Sequence, residues 1–268
     1  EAVVYMRFMA GGTLFQIIPL AVFSLMRGAG DSKNPMYINI LSNILNVLFG
    51  YIFIYGAGPI VGMGVFGAGL AATLSKFTAT VLSLLLLFKT PLKVRLAGRI
   101  SIRPDFKIIT AIWNIGSSAA AEQVVMRGGF FLYTRMIADL GTVSFAAHQV
   151  CLTISNLSTN LGQALGMASS SFTGRFLGAQ RAGSAADYTR ALLRIALILS
   201  VVVSAVFLLS GRGLAGIFTT DSAVVKLLMP LMIILAVINP AQNTQLVYSG
   251  SIKGAGDTRW PLLVTLVG

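Results

Sequence analysis

Two nine-residue stretches decide how this chain is read: "RGAGDSKNP", Arg27 to Pro35, and "KGAGDTRWP", Lys253 to Pro261. They lie 226 positions apart (253 − 27) and share a Gly-Ala-Gly-Asp core followed by proline. A glycine-rich loop beside a lysine suggests a phosphate cradle, but the spacing does not fit one. A dinucleotide fingerprint needs a preceding strand and glycine at the sixth position, which is Lys33 in one copy and Arg259 in the other. A Walker loop needs a longer spacer before its Gly-Lys. Each copy instead follows a long apolar run. The stretch therefore reads as a tight turn between helices: the glycines end one helix, Asp31–Ser32 or Asp257–Thr258 cap the next, and the basic residues hold the turn at a membrane surface.

The rest of the chain makes that surface a bilayer. Of 268 residues, 56% are hydrophobic and only 10% charged, against about 25% charged in soluble domains. Mean hydropathy is +0.83. The 28 glycines suit helices that approach closely in lipid. Twenty Lys and Arg against eight Asp and Glu give a charge of +12. The basic residues sit in short clusters between apolar runs, as membrane orientation requires, so nucleic acid is not the expected partner. One cysteine, Cys151, and one histidine, His148, exclude an internal disulfide and a multi-histidine metal site. Cys151 reads as a packing residue.

A membrane-spanning helix needs about 20 apolar residues. Seven such segments and part of an eighth are expected at residues 2–26, 35–55, 62–88, 108–138, 143–172, 186–211, 223–251 and from 259 onward. The fold class is thus all-α integral membrane. The longest basic cluster, from Lys89 to Lys107, is assigned to the cytoplasm. Counting spans from it places both repeat loops, and residues 175–194, on the same side, with the charge-free turn at 56–61 opposite. Six spans separate the two copies, so they mark parallel repeats related by an axis along the membrane normal. The 226-residue offset also pairs Gln16 with Gln242. Two bundles follow, residues 1–88 and 108–268, joined by a basic linker at 89–107. A chain starting at Glu1 and stopping at Gly268 inside an apolar run is expected to be a fragment of a longer protein.

"SLMRGAGDSKNPMYINILSNILN", "GMGVFGAGLAAT", "LGTVSFAAHQV" and "SGSIKGAGDTRWP" resemble the multidrug and toxic compound extrusion (MATE) transporters. The resemblance covers essentially the whole chain, and the repeated Gly-Ala-Gly-Asp turn is its most specific part. It implies twelve helices in two six-helix lobes, of which this chain resembles the fourth to the eleventh. It further implies an antiporter that exports bulky, often cationic organic compounds in exchange for H⁺ or Na⁺; a monomer is expected. No catalytic residue, metal site or cofactor beyond the coupling ion is expected.

Elimination sorts the acids. Asp31 and Asp257 sit in the repeated turns, Asp105 in the linker, Asp139, Asp187 and Asp221 in loops or at helix ends, and Glu1 at the start. Only Glu122, in "SSAAAEQVVM", lies within an apolar span. A charged carboxylate at a helix centre costs about 2.5–3.5 kcal/mol on insertion scales, so Glu122 is expected near mid-membrane as the proton- or cation-coupling acid, away from the repeat motif. The alternative is a structural pair with Arg127, which at i+5 points about 140° away. Some MATE subfamilies place this acid one turn later, at Met126 here, and carry an aspartate where this chain has Gln242. Other members use an acid in the first helix.

Gln16, Gln123, Gln163 and Gln242 are candidates for a substrate cavity. Like Gln149, Asn156 and Asn160, they serve equally well as interhelical hydrogen-bond partners. Met6, Met9, Phe130, Phe131 and Tyr133 are candidates for an adaptable apolar wall or for packing. Pro19, Pro230 and Pro240 are expected to kink helices or act as hinges. Three other readings remain. A lipid-linked oligosaccharide flippase would gather Arg7, Arg127 and Arg135 in one cavity. A membrane-embedded enzyme would need paired carboxylates or a second histidine, which the spans lack. An inactive fragment is the third.

Overall fold

The computed structural model describes residues 2–57, 60–89, 105–219 and 221–267; side chains 2–9, 57, 60, 89, 212 and 267 fall outside the description. The described residues form α1 (Ala2–Gly28), α2 (Lys33–Tyr55), β1 (Gly56–Ala57), β2 (Ile60–Val61), α3 (Gly64–Lys89), α4 (Phe106–Ala138), α5 (Thr142–Gly178), α6 (Ala182–Phe218), α7 (Ser222–Gly254) and α8 (Arg259–Val267). Every expected helix is present, and most run several residues past their apolar cores. Among the described residues, the one departure from an all-α chain is the turn after α2, where Gly56 pairs with Val61 and Ala57 with Ile60 in a two-residue antiparallel ladder.

Two compact units divide the chain, residues 1–103 and 104–268. The expected linker at 89–107 shortens at both ends. Lys89 closes α3, and Asp105 caps α4 by accepting from the Lys107 amide at 2.9 Å. Residues 90–104 lie outside the described residues.

In the first unit, α1 and α2 both pack on α3. Phe23, Ile38 and Ala79 form the core, flanked by Leu82 and Leu86. In the second unit, α5, α6 and α7 pack mutually, and α4 lies against α8. Its core gathers Cys151, Ile154, Phe207, Leu228 and Met232, so Cys151 packs as expected.

The pattern of polarity is that of a protein solvated by hydrocarbon. Ser83, Ser158, Ser169, Ser200, Asn239 and Asn243 are buried, while Val47, Leu209 and Val237 are among many large apolar side chains left exposed. In lipid the interhelical attraction comes from packing and hydrogen bonds rather than from hiding leucine, so polar groups turn inward. Among the described residues, five helices are long and apolar enough to cross a membrane: α1, α2, α3, α6 and α7. Seven were expected. Helices α4 and α5 fall short of that measure because of their polar residues: the long charge-free run of α5 still carries His148, Gln149, Asn156, Asn160 and Gln163, and α4 carries Asn114, Glu122, Gln123 and Arg127.

The tightest contact is the seam between α5 and α7. A methyl group at Gly250 would collide with the Gly166 carbonyl, one at Gly254 with the Ser170 carbonyl, and one at Gly162 with the Asn243 side chain. Gly162–Gly166 and Gly250–Gly254 are each a Gly-x-x-x-Gly pair, the spacing that places two glycines on one helix face and lets backbones touch.

The prolines do not break their helices; α1 runs through Pro19 and α7 through Pro230 and Pro240. A proline lacks the N–H that would bond the carbonyl four residues earlier. For Pro19 that carbonyl is Phe15, and Thr80 of α3 donates its hydroxyl to it. For Pro240 it is Ala236, and Ser204 of α6 donates to it at 2.7 Å. At Pro19 and Pro240 a neighbouring hydroxyl replaces the missing amide.

Candidate functional site

The two repeat turns share the same framework of backbone bonds. In the first, the Asp31 amide donates to the Met26 carbonyl and the Gly30 amide to Arg27; in the second, Asp257 donates to Ile252 and Gly256 to Lys253. Gly30 and Gly256 have φ of 88° and 89°, a left-handed conformation that glycine adopts without strain. This is the Schellman ending of a helix. Each aspartate then caps the following helix: Asp31 Oδ1 accepts from the Lys33 and Asn34 amides, and Asp257 Oδ1 from Arg259 and Trp260. The expected capping role falls to the aspartates, since the Ser32 side chain makes no cap bond.

The second turn does more than turn. Lys253, in the last turn of α7, places Nζ 2.9 Å from Oε1 of Glu122 on α4. The Glu122 side chain is 7% exposed and that of Lys253 33%. Thr258, just past the turn, donates to the Ile115 carbonyl of α4 at 3.4 Å. These contacts correct the expectation that Glu122 lies away from the motif. Ile115 is level with the turn, and Glu122 is seven residues further on, roughly 10 Å along the helix at 1.5 Å per residue. The lysine of the repeat reaches that depth because its four-carbon stem carries the charge away from the turn.

The pairing alternative is also revised. Arg127 is exposed; the ion pair forms with Lys253, 131 residues away in sequence. Glu122 is the one buried residue of α4, and its second oxygen, Oε2, is buried with no hydrogen-bond partner among the described residues. The other described acids have different work. Asp105 and Asp221 cap helices, Asp187 bonds Arg190 at 3.1 Å on the surface, and Asp139 closes α4.

Of the cavity candidates, Gln16, Gln123 and Gln163 are exposed and Gln242 is half-buried. Gln163 belongs to a stripe. Gln149, Asn156, Asn160 and Gln163 are all exposed and fall within an arc of about 60° on α5 at 3.6 residues per turn. The opposite face of α5 carries the buried Cys151, Ile154, Ser158 and Gly162. Phe130, Phe131 and Tyr133 are exposed on α4, and Tyr133 also meets His148 edge-on, ring centroids 5.2 Å apart. Met6, Met9 and Arg7 have side chains outside the described residues.

The interhelical hydrogen bonds come from residues that sequence reasoning passed over. Asn243 Nδ2 lies within reach of Ser158 Oγ (3.0 Å), Ser200 Oγ (2.8 Å) and Asn239 Oδ1 (2.9 Å), so its two hydrogens are shared among three acceptors. Asn239 in turn donates to the Ser200 carbonyl and to Ser204 Oγ, both at 3.2 Å, and accepts from the Ser158 hydroxyl. This network ties α5, α6 and α7 together. The i, i+4 spacing of Asn239 and Asn243 was its visible trace.

Comparison with known proteins places this arrangement. The model of the MatE family matches residues 1–52 and 119–268. The chain is 26% identical over 265 residues to the "probable multidrug resistance protein NorM" of Thermotoga maritima, covering 98% of this chain and 56% of that protein. It is also 26% identical over 264 residues to the protein of the same name from Pasteurella multocida, covering 98% and 57%. It therefore spans little more than half the length of the curated relatives it matches. Among solved structures it superposes on an outward-facing multidrug resistance MATE transporter with a TM-score of 0.89 at 23% identity, covering 99% of this chain and 58% of that one. A MOP superfamily transporter from Pyrococcus furiosus gives a TM-score of 0.90 at 22% identity, covering 99% and 59%. With the model matched over most of its residues, the chain belongs to the MatE family of multi-pass membrane transporters.

Proposed function

We propose that this chain is part of a secondary antiporter that exports bulky, often cationic organic compounds in exchange for H⁺ or Na⁺, with Glu122 as the coupling carboxylate. The carrying observation is the environment of Glu122: buried, on a membrane-protein helix, with one oxygen held by a lysine and the other unpartnered. An ionisable group kept in such a place is costly unless a cation balances it. A carboxylate with one open oxygen can accept a proton or help to coordinate Na⁺, and it can do so in competition with an organic cation.

The relatives' names support an organic, drug-like cargo. The polar stripe of Gln149, Asn156, Asn160 and Gln163 supports a hydrated surface, because four amides on one helix face are poorly solvated by hydrocarbon. Gln16, Gln123 and Gln242 remain candidates for the same cavity. Coupling arises from differential affinity: exchange proceeds if ion and cargo bind inward- and outward-facing states unequally. The monomer is the simplest working unit for this mechanism.

The test is ethidium efflux by the full-length protein in proteoliposomes, with H⁺ and Na⁺ gradients collapsed separately. Efflux should stop when the coupling gradient is removed, and Glu122→Gln should lose that dependence. Efflux indifferent to both gradients would refute the antiporter reading.

A further inference from the structure

We propose that Lys253 is a tethered competitor for the coupling ion, occupying Glu122 as an internal cation whenever H⁺ or Na⁺ is absent. The inference rests on the reading of Glu122 given above and adds a residue and a sequence of events to it. Three observations carry it.

The first is occupancy. Nζ takes Oε1 at 2.9 Å while Oε2 stays buried and open, so the carboxylate is neutralised and yet retains a free acceptor. The second is burial. At 7% exposure water cannot solvate the Glu122 charge, so removing one cation calls for another. The third is reach. Lys253 belongs to the final turn of α7, a third of its side chain is exposed, and a compact ammonium on a flexible stem can move to water without shifting its helix.

The exchange follows. A proton or Na⁺ arriving from solvent binds Oε2, cancels the carboxylate charge and weakens its hold on Nζ, which moves toward water. When the ion leaves, Nζ returns. The buried charge is balanced in both states, and the lysine sets how tightly the ion binds.

The surroundings leave Lys253 as the cation in contact. Helix α4 packs against α5 and α8 and meets α7 through the Glu122–Lys253 pair. The charged groups of those elements toward this end are Arg175 on α5, Lys253 on α7, and Asp257 and Arg259 at the start of α8. Arg175 and Arg259 are exposed, and Asp257 is engaged in capping. On α4 itself, Arg127 is exposed and about 140° round the helix.

The experiment uses the full-length protein in proteoliposomes and reads the concentration of H⁺ or Na⁺ giving half-maximal ethidium transport. Lys253→Gln removes the charge but leaves a donor for Oε1, which protects the fold; Lys253→Met removes both. Both should lower the half-maximal ion concentration by about tenfold or more, since an opposite charge in contact biases a carboxylate by at least that factor. Lys253→Arg should restore a value near wild type, which a merely structural contact would not distinguish from the neutral variants. If the neutral variants keep the wild-type value while Glu122→Gln abolishes ion dependence, the role of Lys253 is refuted and that of Glu122 stands. If Glu122→Gln keeps full ion dependence, the reading of Glu122 itself is refuted.

Discussion

Ser204 donates its hydroxyl to the Ala236 carbonyl at 2.7 Å, the carbonyl that Pro240 cannot bond. A helix interrupted by proline in lipid must find a replacement donor, because no water is there to supply one. Here the neighbouring helix supplies it, and Thr80 does the same for the carbonyl opposite Pro19. Ser204→Ala should destabilise the protein by about 1–3 kcal/mol, the cost of an unsatisfied buried carbonyl. In the background of Pro240→Ala, which restores the amide, the same change should cost clearly less. Thermal unfolding in detergent of the four proteins of this cycle measures the coupling; equal costs in both backgrounds would show that Ser204 does not serve Pro240.

The α5–α7 seam predicts a sharp contrast among glycines. Gly250→Ala and Gly254→Ala drive a methyl group into the backbone of α5, and overpacking of this kind costs about 1–3 kcal/mol or more. Gly116→Ala and Gly183→Ala meet open space and, being in helices, should be neutral or stabilising by up to about 1 kcal/mol. Folded yield and thermal midpoint, compared across the four variants, check the ranking.

Asn243 should matter more for stability than any of the exposed amides on α5. Asn243→Leu strips donors from Ser158, Ser200 and Asn239 and sets a larger group against Gly162. Interhelical hydrogen bonds in membranes are each worth about 0.6 kcal/mol, reaching roughly 1.7, so a loss of about 1–3 kcal/mol is expected for the network. Asn160→Leu, on the exposed stripe, should leave the thermal midpoint nearly unchanged and act, if at all, on ethidium efflux.

The matched glycines of the two repeat turns should respond to mutation as equals. Gly30→Ala and Gly256→Ala each force a side chain into φ near 88–89°, at a cost of about 1 kcal/mol. Asp31→Ala and Asp257→Ala each remove a helix cap, about 0.5–2 kcal/mol. Thermal midpoints of the glycine pair should agree, while Asp31→Ala should cost the more of the two aspartate changes, because it also loses the bond from Asn34 Nδ2; an unequal glycine pair would show that the two turns are strained differently.

Much of this was legible in the sequence, for a definite reason. Helix formation in lipid is dictated locally: an apolar run must satisfy its own backbone, and glycine, aspartate and proline mark its ends. The eight helices, the turns at Gly30 and Gly256 and the isolation of Glu122 among the acids all follow from neighbours within a few residues. So does the Gly-x-x-x-Gly spacing at 162–166 and 250–254, although spacing alone does not say which helix it meets.

What only the tertiary structure decided is pairing. The partner of Glu122 is 131 residues distant, and helical geometry around Glu122 could exclude Arg127 without naming Lys253. The donors to Phe15 and Ala236, and the meeting of Asn239 and Asn243 with Ser158 and Ser200, depend likewise on which helix faces lie together. Periodicity determines that a face exists; packing determines what it touches. The repeat turn shows both. Its shape was set by its own nine residues, while its reach to Glu122 arose only when α8, which follows the turn, packed against α4.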